Sequence, residues 1–190
     1  SEKKIEEVDE PILNAWVAGE REVETQLSVK LIPDAEHWRL TMNADGQMDS
    51  DTTSYAGNAS LFTQGSGTFS ASKMIYADRH RFHVYPAKAE ATYHGDLCGA
   101  CTSMENIPIR SRIARNTAAE NYYESRWAAH REIEDKLQKR AASRLDAQAR
   151  EQLAEADARI TERVLLPLQR TSVEAIPLSM ATTEERIVGE

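Results

Sequence analysis

Between residues 22 and 31 apolar and polar positions alternate strictly. Val23, Thr25, Leu27, Val29 and Leu31 fall on one side, and Glu22, Glu24, Gln26, Ser28 and Lys30 on the other. A period of two is that of a strand with one buried face, and Pro33-Asp34 ends it. Trp38, Leu40, Met42 and Ala44 repeat the pattern against His37, Arg39, Thr41 and Asn43, and Asp45-Gly46 then reads as a hairpin turn. A two-residue loop there would put Asp49 and Asp51 on the face of Met42 and Leu40, so a longer loop or a bulge that turns both carboxylates outward is expected. Residues 67–77 and 81–85 predict a second hairpin across Asp78-Arg79. Ala87, Ala89, Ala91 and Tyr93 alternate with Lys88, Glu90, Thr92 and His94 as a further strand. Upstream, Pro11 followed by Ile12, Leu13, Trp16 and Val17 predicts a short helix. About six strands before residue 105, one roughly every ten residues, predict an antiparallel meander with one wet face.

The pattern then changes period. From Ile113 to Leu166 there is neither Gly nor Pro, and Ala, Glu, Arg, Gln and Leu dominate. These are strong helix formers, and Glu132/Lys136 and Asp135/Lys139 stand at i, i+4 with the acid first, the favourable order. About 54 residues at ~1.5 Å each would make a helix of roughly 80 Å, ended by Pro167. Ile133, Leu137, Ala141, Leu145, Ala149 and Leu153 step by four. Steps of four overshoot the turn, so the stripe winds around the helix, whereas a left-handed coiled coil alternates three and four. A long helix lying on a twisted sheet is therefore expected over a self-associating coil. Val173, Ala175, Leu178 and Met180, then Thr183 to Val188, predict returning strands. The expected fold is α+β: an antiparallel β-meander sheet over 22–105, packed on one very long amphipathic helix over 113–166, with C-terminal strands over 171–188, all in a single domain of 1–190.

Composition changes this picture little. The formal net charge of −8 and pI near 5.2 argue against nucleic acid, which needs clustered Lys and Arg. Arg110, Arg112 and Arg115 come closest to such a cluster, and a solvated helix start accounts for them equally well. No run approaches the roughly 18–20 apolar residues of a membrane span. The longest, Val164 to Leu168, is too short. The first residue is Ser1 and the last strand breaks off at Gly189, so a segment of a longer protein is expected.

Candidate chemistry centres on Cys98-Gly99-Ala100-Cys101, the two cysteines of the chain. A thioredoxin-like redox pair needs a helix starting at the first Cys, and the sequence that follows, Thr102 to Pro108, is not helical in pattern. A local Cys98–Cys101 disulfide is one reading. Zinc is another, since His80, His83, His94, Cys98 and Cys101 offer N and S ligands for a tetrahedral site, although residues 80 and 83 would face opposite ways in a strand. Asn43, Asp45, Gly46 and Asp49 match the middle of a calcium loop, but Thr41 and Thr52 stand at its ends where acids belong. Tyr122, Tyr123 and Trp127 cluster at helical spacing; packing onto the sheet is expected before a stacking platform, with His130 at the helix surface. There is no GxSxG, HExxH, P-loop or dinucleotide fingerprint, and no catalytic residue is assigned.

The stretch Leu31 to Leu40 (LIPDAEHWRL), running into Ala44-Asp45-Gly46 and Ser50-Asp51-Thr52, resembles a segment of uncharacterised, predicted exported proteins of planctomycete-type bacteria, as does Thr183 to Gly189 (TEERIVG). The resemblance implies a cell-envelope or periplasmic setting and a longer parent chain, and no activity. Three functions are then expected in turn. One is a non-enzymatic structural or interaction domain with a protein partner. Another is a carrier of lipid or another apolar ligand in a groove between helix and curved sheet. The third is a zinc-stabilised module.

Overall fold

A computed structural model describes residues 1–78, 82–103, 106–162 and 180–189. The fold is α+β: a six-stranded antiparallel sheet with a single long helix packed on it, followed by a short C-terminal hairpin. The strands are β1 (Glu2–Ile12), β2 (Ala15–Leu31), β3 (Trp38–Ala56), β4 (Ala59–Ala77), β5 (Phe82–Val84) and β6 (Lys88–Thr102). Helix α1 spans Pro108–Ile160, and β7 (Met180–Thr182) pairs with β8 (Ile187–Gly189). The sheet runs β1-β2-β3-β4, and β5 and β6 both pair with β4.

Six strands are present, but β2, β3 and β4 are 17, 19 and 19 residues long, not segments renewed every ten. The Asp45-Gly46 turn does not exist: β3 runs straight through it. Gly46 is needed there for space, because a Cβ would stand 2.3 Å from Phe69 Cζ and 2.6 Å from the Glu24 carbonyl oxygen. A glycine within a strand pattern marks such a close approach as readily as a turn. The uninterrupted strand still carries Asp49 and Asp51 outward, both exposed. The true hairpin lies between Ala56 and Ala59, where Gly57 has φ +60°, the value a type II′ turn asks of its first central residue.

The short helix expected near Ile12 is also absent. Ile12 pairs with Ala15 across a two-residue link, and Leu13 takes φ +51°, rare for a residue with a Cβ. Ile12 and Val17 are buried while Leu13 and Trp16 are exposed, so only Ile12 and Val17 of that apolar group form the inner face of two strands. Helix α1 begins at Pro108 rather than Ile113. Proline suits the first helical position because its missing N–H would have had no partner in the helix. Residues 163–166 of the expected helix and 173–178 of the expected strand lie outside the described residues.

The chain forms two compact units. The first comprises Ser1–Gln26, Asp45–Ser70 and Glu90–Lys139; the second comprises Leu27–Ala44, Ala71–Ala89 and Arg140–Glu190. In the first, Val23, Met48 and Leu137 form a buried cluster with Phe69, Ala91, Tyr93 and Ile133 packed against it. The same unit holds a half-buried pair, Arg21 with Glu6, joined at 2.7 and 3.0 Å. In the second, Leu145 and Ala149 of α1 are 1% and 0% exposed, with Ala141, Ala71, Ile75 and Ala77 also buried. The stripe Leu137, Ala141, Leu145, Ala149 is thus buried at steps of four, as its period predicts. The C-terminal hairpin belongs to the second unit. Asp34 and Thr182 exchange backbone hydrogen bonds of 2.9 and 2.8 Å, Thr182 Oγ1 accepts from Arg39 N–H at 2.9 Å, and Trp38 Nε1 donates to the Val188 carbonyl at 2.7 Å.

Candidate functional site

A strand at the border of a sheet leaves backbone groups unpaired. In the first unit, side chains of α1 supply partners at two such places. Glu134 accepts the Tyr93 N–H of β6 at 3.0 Å, and Tyr122 Oη donates to the Gly95 carbonyl at 3.1 Å. At the β1–β2 turn Glu132 accepts the Leu13 N–H at 2.9 Å. Lys136 donates to the Pro11 carbonyl and pairs with Glu10 at 3.3 Å and Glu132 at 3.1 Å. The Leu13 N–H bond, and then Lys136, hold the Glu132 carboxyl below its ordinary range.

His130 occupies the centre of the β6 contact. It is 8% exposed and also hydrogen-bonds the Gly95 carbonyl. Nε2 is buried with no partner among the described residues, which leaves Nδ1 as the ring nitrogen that meets Gly95. Tyr93 and His94 stand edge-on to it, with ring centroids 5.2 and 5.9 Å away. Burial lowers the His130 pKa, and Arg126 and His94 lower it further. Burial pushes the Tyr122 hydroxyl up to about 12. Arg126 reaches His94 at 3.4 Å and Asp96 at 3.6 Å. Tyr93 lies across Gly65, where a Cβ would stand 2.0 Å from its hydroxyl oxygen. Strands β3, β4 and β6 line two adjoining shallow hollows of about 290 and 300 Å³, sharing Asp49, Ser66 and His94.

The expected zinc ligands fall as follows. His80 lies outside the described residues. His83 belongs to the second unit, where its Nε2 is 2.8 Å from Asp78 Oδ2. There it stacks on Tyr76 at 5.2 Å, and His37 approaches the same ring at 4.8 Å. His37 in turn contacts Asp34 at 3.1 Å. The Glu36 N–H, with help from His37, holds the Asp34 carboxyl below its usual range. His94 is in the His130 cluster, and Cys98 and Cys101 are free thiols on β6, exposed and half-buried. In an extended strand, Cα atoms three residues apart are about 10 Å apart, beyond the roughly 7 Å a disulfide spans. Among the described residues no three His, Cys, Asp or Glu side chains form a group that could hold a metal ion, and no described helix is long and apolar enough to cross a membrane.

The aromatic group on α1 divides. Tyr122 packs on the sheet as expected. Tyr123 and Trp127 do not: they are 56% and 80% exposed. Ile109 and Ile113 are likewise exposed, at 72% and 60%. At 100° per residue these four fall within about 80° of one another around the helix. Ser111, buried at 3% exposure, lies roughly opposite. His130 was expected at the helix surface and is buried instead. Nothing in its own neighbourhood in sequence distinguishes it from Trp127, one turn earlier and only about 60° away around the helix; the contact with β6 decides which of the two is covered. No family model, curated protein or solved structure matches the chain.

Proposed function

We propose that this chain is a non-enzymatic interaction domain of the cell envelope, with the outer face of the first half of α1 as its binding surface. One observation carries the reading: Ile109, Ile113, Tyr123 and Trp127 are turned to solvent while Ser111 and His130 of the same helical stretch are buried. Large apolar side chains gathered on one exposed face mark a surface that something covers, and Trp and Tyr are among the residues that contribute most when covered. The envelope setting rests on the resemblance carried by Leu31 to Leu40 and Thr183 to Gly189. A carrier of apolar ligands would need open space between helix and sheet. In the first unit Val23, Met48, Leu137, Phe69 and Tyr93 occupy that space, which favours the interaction reading.

The test is a cysteine placed at position 127 in a Cys98→Ser, Cys101→Ser background. Its labelling by a water-soluble maleimide is compared between the purified protein and the native cell fraction that holds the parent chain. Protection in the native fraction, with a cysteine at exposed Arg150 labelled equally in both, is the expected result. Equal labelling of position 127 in both would overturn the proposal.

A further inference from the structure

Resting on that reading, we infer that the occupant of this face is an anionic lipid surface, bound by the first turns of α1. From Pro108 to Ala119 the helix carries Arg110, Arg112 and Arg115 and no acidic residue. All three are exposed, and among the described residues none is held in an ion pair. The net charge of this stretch is +3, against −8 for the whole chain. Around the helix the arginines flank the exposed Ile109 and Ile113 on both sides, at about +100° (Arg110), −60° (Arg112) and −120° (Arg115) from Ile109. Their aliphatic stems can lie alongside the isoleucines while the guanidinium groups reach outward to phosphates.

This arrangement suits a continuous sheet of phosphates above an apolar layer. Apolar residues enter the headgroup boundary, cations meet the headgroups, and aromatic rings sit at the same level. Tyr123 and Trp127 continue the apolar line about three to four turns beyond Ile113. A nucleic acid would pair the arginines and leave the two isoleucines in water. A protein partner would accept the isoleucines, but nothing in a row of exposed cations around them requires one. Glu120 and Glu124 interrupt the face between the isoleucines and the aromatic pair, so contact is strongest over Ile109 to Arg115.

The experiment is flotation with vesicles of phosphatidylcholine alone or with about one-third phosphatidylglycerol, at low and physiological salt. The wild-type chain is expected to float with the anionic vesicles only, and less at the higher salt. The R110Q/R112Q/R115Q variant is expected to bind about a hundredfold more weakly, at roughly 1 kcal/mol for each cation near the surface. I109D/I113D is expected to abolish flotation with the circular dichroism spectrum unchanged. K30Q/K88Q/K139Q, which removes the same charge from exposed sites elsewhere, is expected to bind as wild type. The inference is overturned if both vesicle types bind equally or not at all, or if the two triple variants behave alike. It is also overturned if sedimentation shows a dimer that I113D dissociates, or if RNA binds and R110Q/R112Q/R115Q releases it. Protection of position 127 in the native fraction, without vesicle binding, would leave the interaction domain standing and remove the lipid.

Discussion

The two halves of α1 bury different kinds of side chain. In the second, Ala141, Leu145 and Ala149 are buried and no large apolar side chain is exposed among the described residues, the ordinary economy of an amphipathic helix. In the first, Ser111 and His130 are buried, and Ile109, Ile113, Tyr123 and Trp127 face water. The first half is held by polar groups as well as by Ile133 and Leu137 in the core: Glu132, Glu134, Lys136, Tyr122 and His130 bond the backbone of Leu13, Tyr93, Pro11 and Gly95. With these bonds and the packing of Ile133 and Leu137 in place, Ile109, Ile113, Tyr123 and Trp127 are not needed for attachment and remain free for another use.

The largest test of this contrast lies in the second half. Asp146 accepts from the Lys73 ammonium and from the Ala87 N–H, and Lys73 is 5% exposed with the Tyr85 carbonyl as its other partner. Asp146→Ala would leave a buried cation short of its counter-charge and is expected to cost roughly 3–5 kcal/mol in urea unfolding. Asp146→Asn, which keeps an acceptor for Ala87, should cost less. Leu145→Ala comes next, at about 3 kcal/mol from lost burial and the cavity left behind. A cost under about 1 kcal/mol at Leu145 would mean that the stripe does not anchor the helix.

Acidification sharpens the comparison in the first half. The folded pKa of His130 is lowered, so the unfolded chain takes up the proton first. Its contribution is complete above the ordinary imidazole value of about 6.5 and is lost as pH falls below it. Glu132, also lowered, with the Leu13 N–H as first cause, contributes above the ordinary carboxylate range and loses that contribution as pH falls through it. Urea midpoints measured from pH 7 to pH 4 should therefore fall in two stages, and His130→Gln should remove the earlier one. The smallest effect is expected at Trp127→Ser, within about 0.5 kcal/mol as for other surface positions. A cost above 2 kcal/mol would mean that Trp127 is part of the fold and not of a binding face.

Much of the fold could be read in the sequence where one face is buried and the period is pure. The stepping of Leu137, Ala141, Leu145 and Ala149, and the alternation of Ala89, Ala91 and Tyr93, both found their burial. Two other patterns misled for physical reasons. Asp45-Gly46 has the composition of a turn, but the glycine makes room for Phe69, which comes from a strand twenty residues on. Leu27 and Val29 alternate as a buried face would, yet both are exposed; periodicity names the side of a strand, not whether anything covers it. The site was less accessible still. His130 becomes buried because Gly95 and Tyr93 of β6 meet it, and that pairing spans 35 and 37 residues of chain, beyond any local signal. Of the expected zinc ligands among the described residues, only His94 lies in that cluster.

The bond from Leu13 to Glu132 spans 119 residues, which has a consequence during synthesis. At roughly 5–20 residues per second the β1–β2 hairpin leaves the ribosome some 6–24 s before the helix turn that will hold its tip. Its tip must wait without that partner, and its outer strand must not join other nascent chains. Its sequence suits that interval: Lys3, Lys4, Glu6, Glu7, Asp9 and Glu10 crowd β1 with charge, and charged borders resist strand-to-strand association. The same residues that make β1 look unpromising as a strand keep it soluble until Glu132 is made.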